Sequence, residues 1–135
     1  MHDSLTIALL QARETAMRYF RPVLNHHNLT EQQWRIIRIL AEHGSLDFLE
    51  LATKACILRP SLTGILTRLE RDGLVLRLKP LNDQRKLFAS LTPEGIALYQ
   101  QAVKKIEAGY QQIEEQFGAE KMKQLKSLLQ EFNAL

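Results

Sequence analysis

The stretch from Arg59 to Lys86, RPSLTGILTRLERDGLVLRLKPLNDQRK, decides the fold, because its apolar residues change period part-way along. Leu62, Ile65, Leu66 and Leu69 recur at spacings of three, one and three, which winds them into one helical stripe that must be buried. Pro60 suits the first turn of that helix, where a missing N–H costs nothing, and Gly73 suits its end. Gly64, Thr67, Arg68 and Arg71 repeat the spacing two residues out of phase and fall on the opposite side. That side is small, hydroxylated and basic. Small residues permit close approach, hydroxyls reach phosphates and base edges, and arginine offers guanine a two-pronged donor. Alone, such a face reads as the solvated side of an amphipathic helix; the residues after Gly73 turn the reading towards DNA.

Beyond Gly73 the period drops to two. Leu74, Leu76 and Leu78 alternate with Val75, Arg77 and Lys79, and Leu87, Ala89 and Leu91 alternate with Lys86, Phe88 and Ser90, which predicts two strands. Pro80 to Arg85 is rich in turn formers, so the strands make a hairpin with Asp83 and Arg85 at its tip. Arg85 there can enter a minor groove while Asp83 holds its guanidinium; the alternative is an ordinary surface ion pair. The stretch carries seven Lys and Arg against three Asp and Glu, a net +4, whereas the whole chain is +3. The remainder is therefore −1, and the positive charge lies where a polyanion would be met.

Working outward, 135 residues with 45% hydrophobic content make one domain with a core, too short for a multidomain enzyme. No nucleophile with a base and no metal constellation is recognisable, so neither an enzyme nor a cofactor is expected. Cys56, the single cysteine, cannot form an internal disulfide. No apolar run has signal or membrane-spanning length, so the expectation is a soluble cytoplasmic protein with no membrane partner. A pI near 9.2 suits nucleic acid without proving it.

From Leu5 to His27 the positions Leu5, Ala8, Leu9, Ala12, Ala16, Tyr19, Phe20 and Val23 follow one helix, kinked near its end by Pro22. His26 and His27 lack metal partners at ligand spacing. Thr30 and Gln33 form a capping box for a helix running to Glu42 and ending at Gly44, with Trp34, Ile37, Leu40 and Ala41 inward. Arg38 flanks that face. Either Trp34 is a core aromatic with a snorkelling neighbour, or a planar aromatic acid stacks on the indole while Arg38 takes its carboxylate. Asp47 and Glu50 open a short helix with Leu49 and Ala52 inward, and Lys54 to Arg59 turns the chain, with Cys56 as a small packed residue. Thr92 and Pro93 start a long helix whose Ile96, Tyr99, Val103, Ile106, Tyr110, Ile113 and Phe117 step by three and four as a heptad seam. Gly118 breaks it, and Met122, Leu125, Leu129 and Phe132 continue the pattern, with Leu128 widening the face. Such stripes can be absorbed within a chain, but so small a domain leaves them for a second copy, which favours a homodimer.

The fold class is mainly α with a small β-hairpin wing, α+β by strict classification. The domain spans 1–135, with a winged helix-turn-helix over 30–92 and a helical dimerisation portion in 1–29 and 93–135. The runs Pro60-Ser61-Leu62-Thr63, Leu69-Glu70-Arg71-Asp72-Gly73-Leu74-Val75, Asp83-Gln84-Arg85 and Leu91-Thr92-Pro93-Glu94-Gly95 resemble the winged-helix signature of the MarR family of bacterial transcriptional regulators. Leu29-Thr30-Glu31-Gln32-Gln33-Trp34-Arg35 resembles its aromatic-acid subgroup. The resemblance covers the middle third closely and the remainder in length and element order.

It implies a repressor of an aromatic-compound catabolic operon, bound as a homodimer to a pseudopalindromic double-stranded operator with half-sites ~10 bp apart. Ser61, Thr63, Gly64, Thr67 and Arg68 would read the major groove. Arg71 and Lys86 would hold phosphates, and Arg85, supported by Asp83, would be the wing contact. It further implies release by a small phenolic or aromatic carboxylic acid such as 4-hydroxyphenylacetate or homoprotocatechuate. Trp34 matches the family's pocket aromatic and Arg38 a polar pocket position, with Arg13 and Arg21 added from the first helix, although Arg21 projects away from the main stripe. The family's oxidant-sensing cysteine lies in the first helix, where this chain has none. Two alternatives stay open: a regulator of another stress or drug-response promoter, and a winged-helix module that binds protein without responding to a ligand.

Overall fold

The computed structural model describes residues 3–82 and 86–135. In chain order its elements are α1 (Leu5–Met17), α2 (Arg21–His26), α3 (Glu31–His43), β1 (Leu46–Asp47), α4 (Phe48–Ala55), α5 (Arg59–Arg71), β2 (Val75–Leu78), β3 (Phe88–Leu91), α6 (Pro93–Phe117) and α7 (Ala119–Asn133). The chain divides into two compact units, Leu24–Val103 and Met1–Val23 with Lys104–Leu135.

In the first of these units α3 opens with the expected capping box. The Gln33 backbone N–H donates to Thr30 Oγ1 at 3.1 Å, and the Thr30 N–H donates to Gln33 Oε1 at 3.0 Å. The helix ends at Gly44. Trp34, Ile37 and Leu40 are buried as expected, but Ile36 is buried where Ala41 was expected, Ala41 being only half-buried. The Asp47 carboxylate accepts from the Glu50 N–H at 2.8 Å and so caps α4. Phe48, Leu51, Ala52 and Ala55 face inward at helical spacing, which puts Leu49 on the outside at 60% exposure, against the expectation that it packs. Cys56 ends α4 in the left-handed conformation, φ 55°, and is exposed rather than packed, because that reversal carries the residue out of the helix stripe. Leu62, Ile65, Leu66 and Leu69 of α5 are all buried, as their period demands.

The sheet has three antiparallel strands in the order β1-β3-β2, with Leu46 opposite Ala89, Val75 opposite Leu91 and Leu78 opposite Phe88. β1 escapes sequence reading because two residues show no alternation. The phase of β2 also differs from a leucine-inward reading. The Leu74 N–H closes the α5 turn on Leu69 O at 2.9 Å, so Val75 is the residue that enters the core, leaving Leu76 and Leu78 about half exposed. Thr92 Oγ1 donates to Gly73 O at 2.6 Å and accepts from the Gly95 N–H at 3.0 Å, capping α6 ahead of Pro93. At Gly95 a Cβ would stand 2.2 Å from Leu74 O, so only glycine allows this approach.

In the other unit the first helix is not one kinked rod. α1 stops at Met17, and α2 restarts at Arg21 with Pro22 in its first turn. The proline ring would collide with the carbonyl four residues back, which ends the helix instead of bending it. The Phe20 and Tyr110 rings pack with centroids 4.7 Å apart, and the Tyr19 hydroxyl donates to Gln116 Oε1. The α6 seam is therefore engaged along much of its length inside the chain: Tyr110 on Phe20, Ile106 buried, and Tyr99 stacked on Trp34 in the winged unit. Its ends, Ile96 and Phe117, are exposed. The larger uncovered apolar surfaces belong to Leu5, Ile7, Leu9 and Leu10 of α1 and to Leu125, Leu128, Leu129 and Phe132 of α7, which buries no residue. Among the described residues no helix is long and apolar enough to cross a membrane.

Candidate nucleic-acid interface

Burial of one side of α5 fixes what its other side can do. Ser61, Thr63, Gly64, Thr67, Arg68 and Arg71 are all exposed, on a helix held by four fully or nearly buried aliphatic side chains. Around Gly64 a Cβ would meet nothing within 4 Å, so the face is open for close approach. Arg68 and Arg71 lie in the last turn; Arg71 Nε stands 3.8 Å from Asp72, an exposed pair that holds it weakly. Thr67 differs from its neighbours. Its hydroxyl donates to Thr63 O at 2.8 Å and accepts from Arg77 Nη1 at 3.3 Å, so its hydrogen-bonding capacity is largely used inside the protein.

Lys86 is exposed beside Arg59, the first residue of α5, and both line a shallow hollow of about 220 Å³ with Asp47, Phe48, Leu49 and Leu87. Asp47's carboxyl is held below its usual range, chiefly by the Glu50 N–H and further by the Lys86 charge. Arg59 was not singled out as a contact from sequence; its signal was its place at the head of the basic stretch. Asp83 and Arg85 lie outside the described residues.

The four ligand candidates fall two to each unit. Trp34 is 7% exposed and stacks on Tyr99 with centroids 5.7 Å apart and planes 14° from parallel. Arg38 Nε donates to Glu42 Oε1 at 2.9 Å. In the helical unit Arg21 Nη2 donates to both oxygens of Glu14, at 2.7 and 2.8 Å, and lowers that carboxyl's pKa, with a lesser pull from Arg13. The spacing of Tyr99 makes it a seam residue and carries no sign that it covers the indole. Among the described residues no cluster of His, Cys, Asp and Glu is placed to hold a metal ion.

Residues 29–87 match the model of the MarR family. The chain is 74% identical over 135 residues to the homoprotocatechuate degradative operon repressor of Escherichia coli, covering all of this chain and 91% of that one. It is 60% identical to NadR, solved in complex with 4-hydroxyphenylacetate, over 97% of this chain and 93% of that one, with a TM-score of 0.85. The transcriptional repressor CouR, solved on a 23-mer DNA duplex, is 27% identical, with 96% and 92% coverage and a TM-score of 0.87. The Escherichia coli relative and CouR are repressors, in agreement with the expectation of a protein that is not an enzyme, and their likeness supports the winged-helix architecture. Sharing the family's winged core and resembling one of its repressors from end to end, this chain belongs to the MarR family.

Proposed function

We propose that this chain is a DNA-binding transcriptional repressor of an aromatic-compound catabolic operon, acting as a homodimer and released by 4-hydroxyphenylacetate, homoprotocatechuate or a close relative. The observation that carries the reading is the exposed face of α5, small, hydroxylated and basic, set on a rigid buried stripe in a chain 74% identical to such a repressor. Ser61, Thr63, Gly64 and Arg68 face the major groove, Thr67 offers it a methyl, and Arg71 and Lys86 meet phosphates. From the wing, Asp83 and Arg85, which lie outside the described residues, are added as further contacts with the duplex.

Residues 30–92 do the reading while 1–29 and 93–135 do the pairing. The exposed apolar faces of α1 and α7 support this division, since a second copy is what would cover them. Two α5 helices then meet successive major grooves of a pseudopalindrome about one helical turn, ~10 bp, apart. A protein with this partner works in the cytoplasm.

Trp34 supplies an aromatic wall and Arg38 a donor now bonded to Glu42, so an aromatic acid would replace one carboxylate with another. Arg13 and Arg21, in the other unit, are further candidates for contact with such an acid. NadR, crystallised with 4-hydroxyphenylacetate, supports that class of effector. A difference of a few kcal/mol in effector affinity between reading and non-reading spacings changes operator occupancy greatly.

Selection of bound sequences from random duplexes, with and without 4-hydroxyphenylacetate, tests both halves. The expected result is a pseudopalindrome whose recovery falls when the acid is added. Recovery of no duplex at low salt removes the DNA reading; absence of binding heat with an unchanged operator affinity removes the effector.

A further inference from the structure

Arg77 belongs to the basic stretch, yet its geometry sets it apart from a phosphate contact. It sits within β2, and its guanidinium reaches back across the joint to α5. Nη2 donates to Glu70 Oε1 at 2.7 Å, Nε to the same oxygen at 3.2 Å and the backbone N–H to Glu70 Oε2 at 3.3 Å. Nη1 reaches Thr67 Oγ1 at 3.3 Å, so one side chain of the wing grips two positions a turn apart on the reading helix. We propose that Arg77 is a positioning residue for operator recognition, which with Glu70 and Thr67 fixes the wing's strand against the reading helix.

A duplex meets the helix and the wing at once, so the angle between them is part of what it must fit. Four hydrogen bonds from one residue restrict that angle, and the Glu70 carboxylate neutralises a cation that would otherwise seek phosphate. Thr67 is locked by the same contact, its hydroxyl turned to Thr63 O and Arg77, which leaves its methyl for an apolar contact such as that of thymine. The side chains of the pair are about one-third exposed, at 31% for Arg77 and 36% for Glu70, where an ion pair adds little to folding. Its loss therefore appears in recognition before it appears in melting.

The inference rests on the DNA-binding reading above, so the probe is the tightest duplex recovered from the random pool; if none is recovered, it is that reading which fails. Operator affinity, affinity for an unrelated duplex and melting temperature are measured for Arg77→Glu, Glu70→Arg and the double exchange. Each single change is expected to lower operator affinity about tenfold or more with little loss of melting temperature, and the double exchange to restore it to within about threefold. Glu70→Arg is the sharper arm, since it adds positive charge and would strengthen a purely electrostatic contact. Unchanged or tighter operator binding by Glu70→Arg overturns the proposal, as does a double exchange as weak as Arg77→Glu. Should a charge reversal not fold, Glu70→Gln serves: operator affinity is expected to fall about threefold with the salt dependence retained, and unchanged affinity overturns the proposal.

Discussion

Arg68 and Lys86 are both exposed cations of one interface, and their settings give them different work. Arg68 projects from the exposed face of the reading helix in its last turn, where a guanidinium can take two acceptors of one guanine, so its contribution depends on the base it meets. Arg68→Ala should cost about 1–3 kcal/mol on the selected operator and relax the preference at one base position, seen by titrating single-substituted duplexes. Lys86 lies beyond the helix, next to Asp47 and Arg59, where a point charge finds phosphate rather than base edge. Lys86→Ala should weaken all duplexes alike and reduce the slope of log affinity against log salt by about 1. Equal effects of the two substitutions across sequences would contradict the division. Glu70 brings pH into the same joint. The hydrogen bond from Arg77 holds its carboxyl below the usual carboxylate range, so the stabilisation is complete above that range and is lost as pH falls through the lowered value. Melting of the native chain and of Glu70→Gln should differ only slightly at neutral pH, and that small gap and the gap in operator affinity should both close on acidification in that window; an affinity gap constant at every pH would count against the linkage.

At the scale of elements, what was legible depended on whether a signal was local. The α5 stripe and the Thr30, Asp47 and Thr92 caps stand within one turn of their partners, and the structure contains each of them. The chemistry of the candidate site was equally legible, because six of its residues share one face of one helix. What joins elements was not. Nothing in the spacing tells that Arg77 grips Glu70 or that Tyr99 covers Trp34, since either side chain fits a solvated or a seam position equally well. The break before Pro22 escapes the spacing for a related reason: a proline can bend a helix or end it, and the apolar stripe runs on past the break in either case.

Arg35 is another such joint, and the turn between α4 and α5 depends on it. Its Nη1 donates to Ala55 O at 2.5 Å while Nη2 and Nε hold Glu31 at 2.6 and 3.0 Å, tying α3 to the end of α4. Arg35→Ala leaves that terminal carbonyl without its cationic partner and should destabilise the fold by about 2 kcal/mol in urea titration, with no shift expected if water serves it as well. Gly95→Ala at the start of α6 should cost about 3 kcal/mol or more, because its Cβ would meet a backbone carbonyl and not a flexible side chain. An alanine variant with native melting temperature would mean that α6 can shift there without consequence.

For the whole molecule the deciding quantity is uncovered apolar surface. α7 is a 15-residue helix with no buried residue, and Leu125, Leu129 and Phe132 lie along it at spacings of four and three. A helix exposing that stripe to water gains nothing from it, whereas a stable interface takes about 1,200–2,000 Å² in total, a size that α1 and α7 of two copies are suited to furnish. Leu125→Asp with Leu129→Asp should therefore yield a monomer by sedimentation, since placing charges inside an apolar contact costs far more than exposing them on a free helix. The effect on DNA comes from how two half-sites combine. In a dimer the second reading helix is delivered at the effective concentration set by its tether to the first, so affinity for the full site exceeds that of one half by about 10²–10⁴-fold. The double substitution should thus lower operator affinity by about that factor and roughly halve the salt slope, because one protomer neutralises half the phosphates. It alters no residue of α5 or the wing, so affinity for an isolated half-site should be unchanged. If the variant sediments as a monomer and still binds the full operator as tightly as the native chain, pairing is not what sets the operator's length, and the α7 stripe must serve another contact.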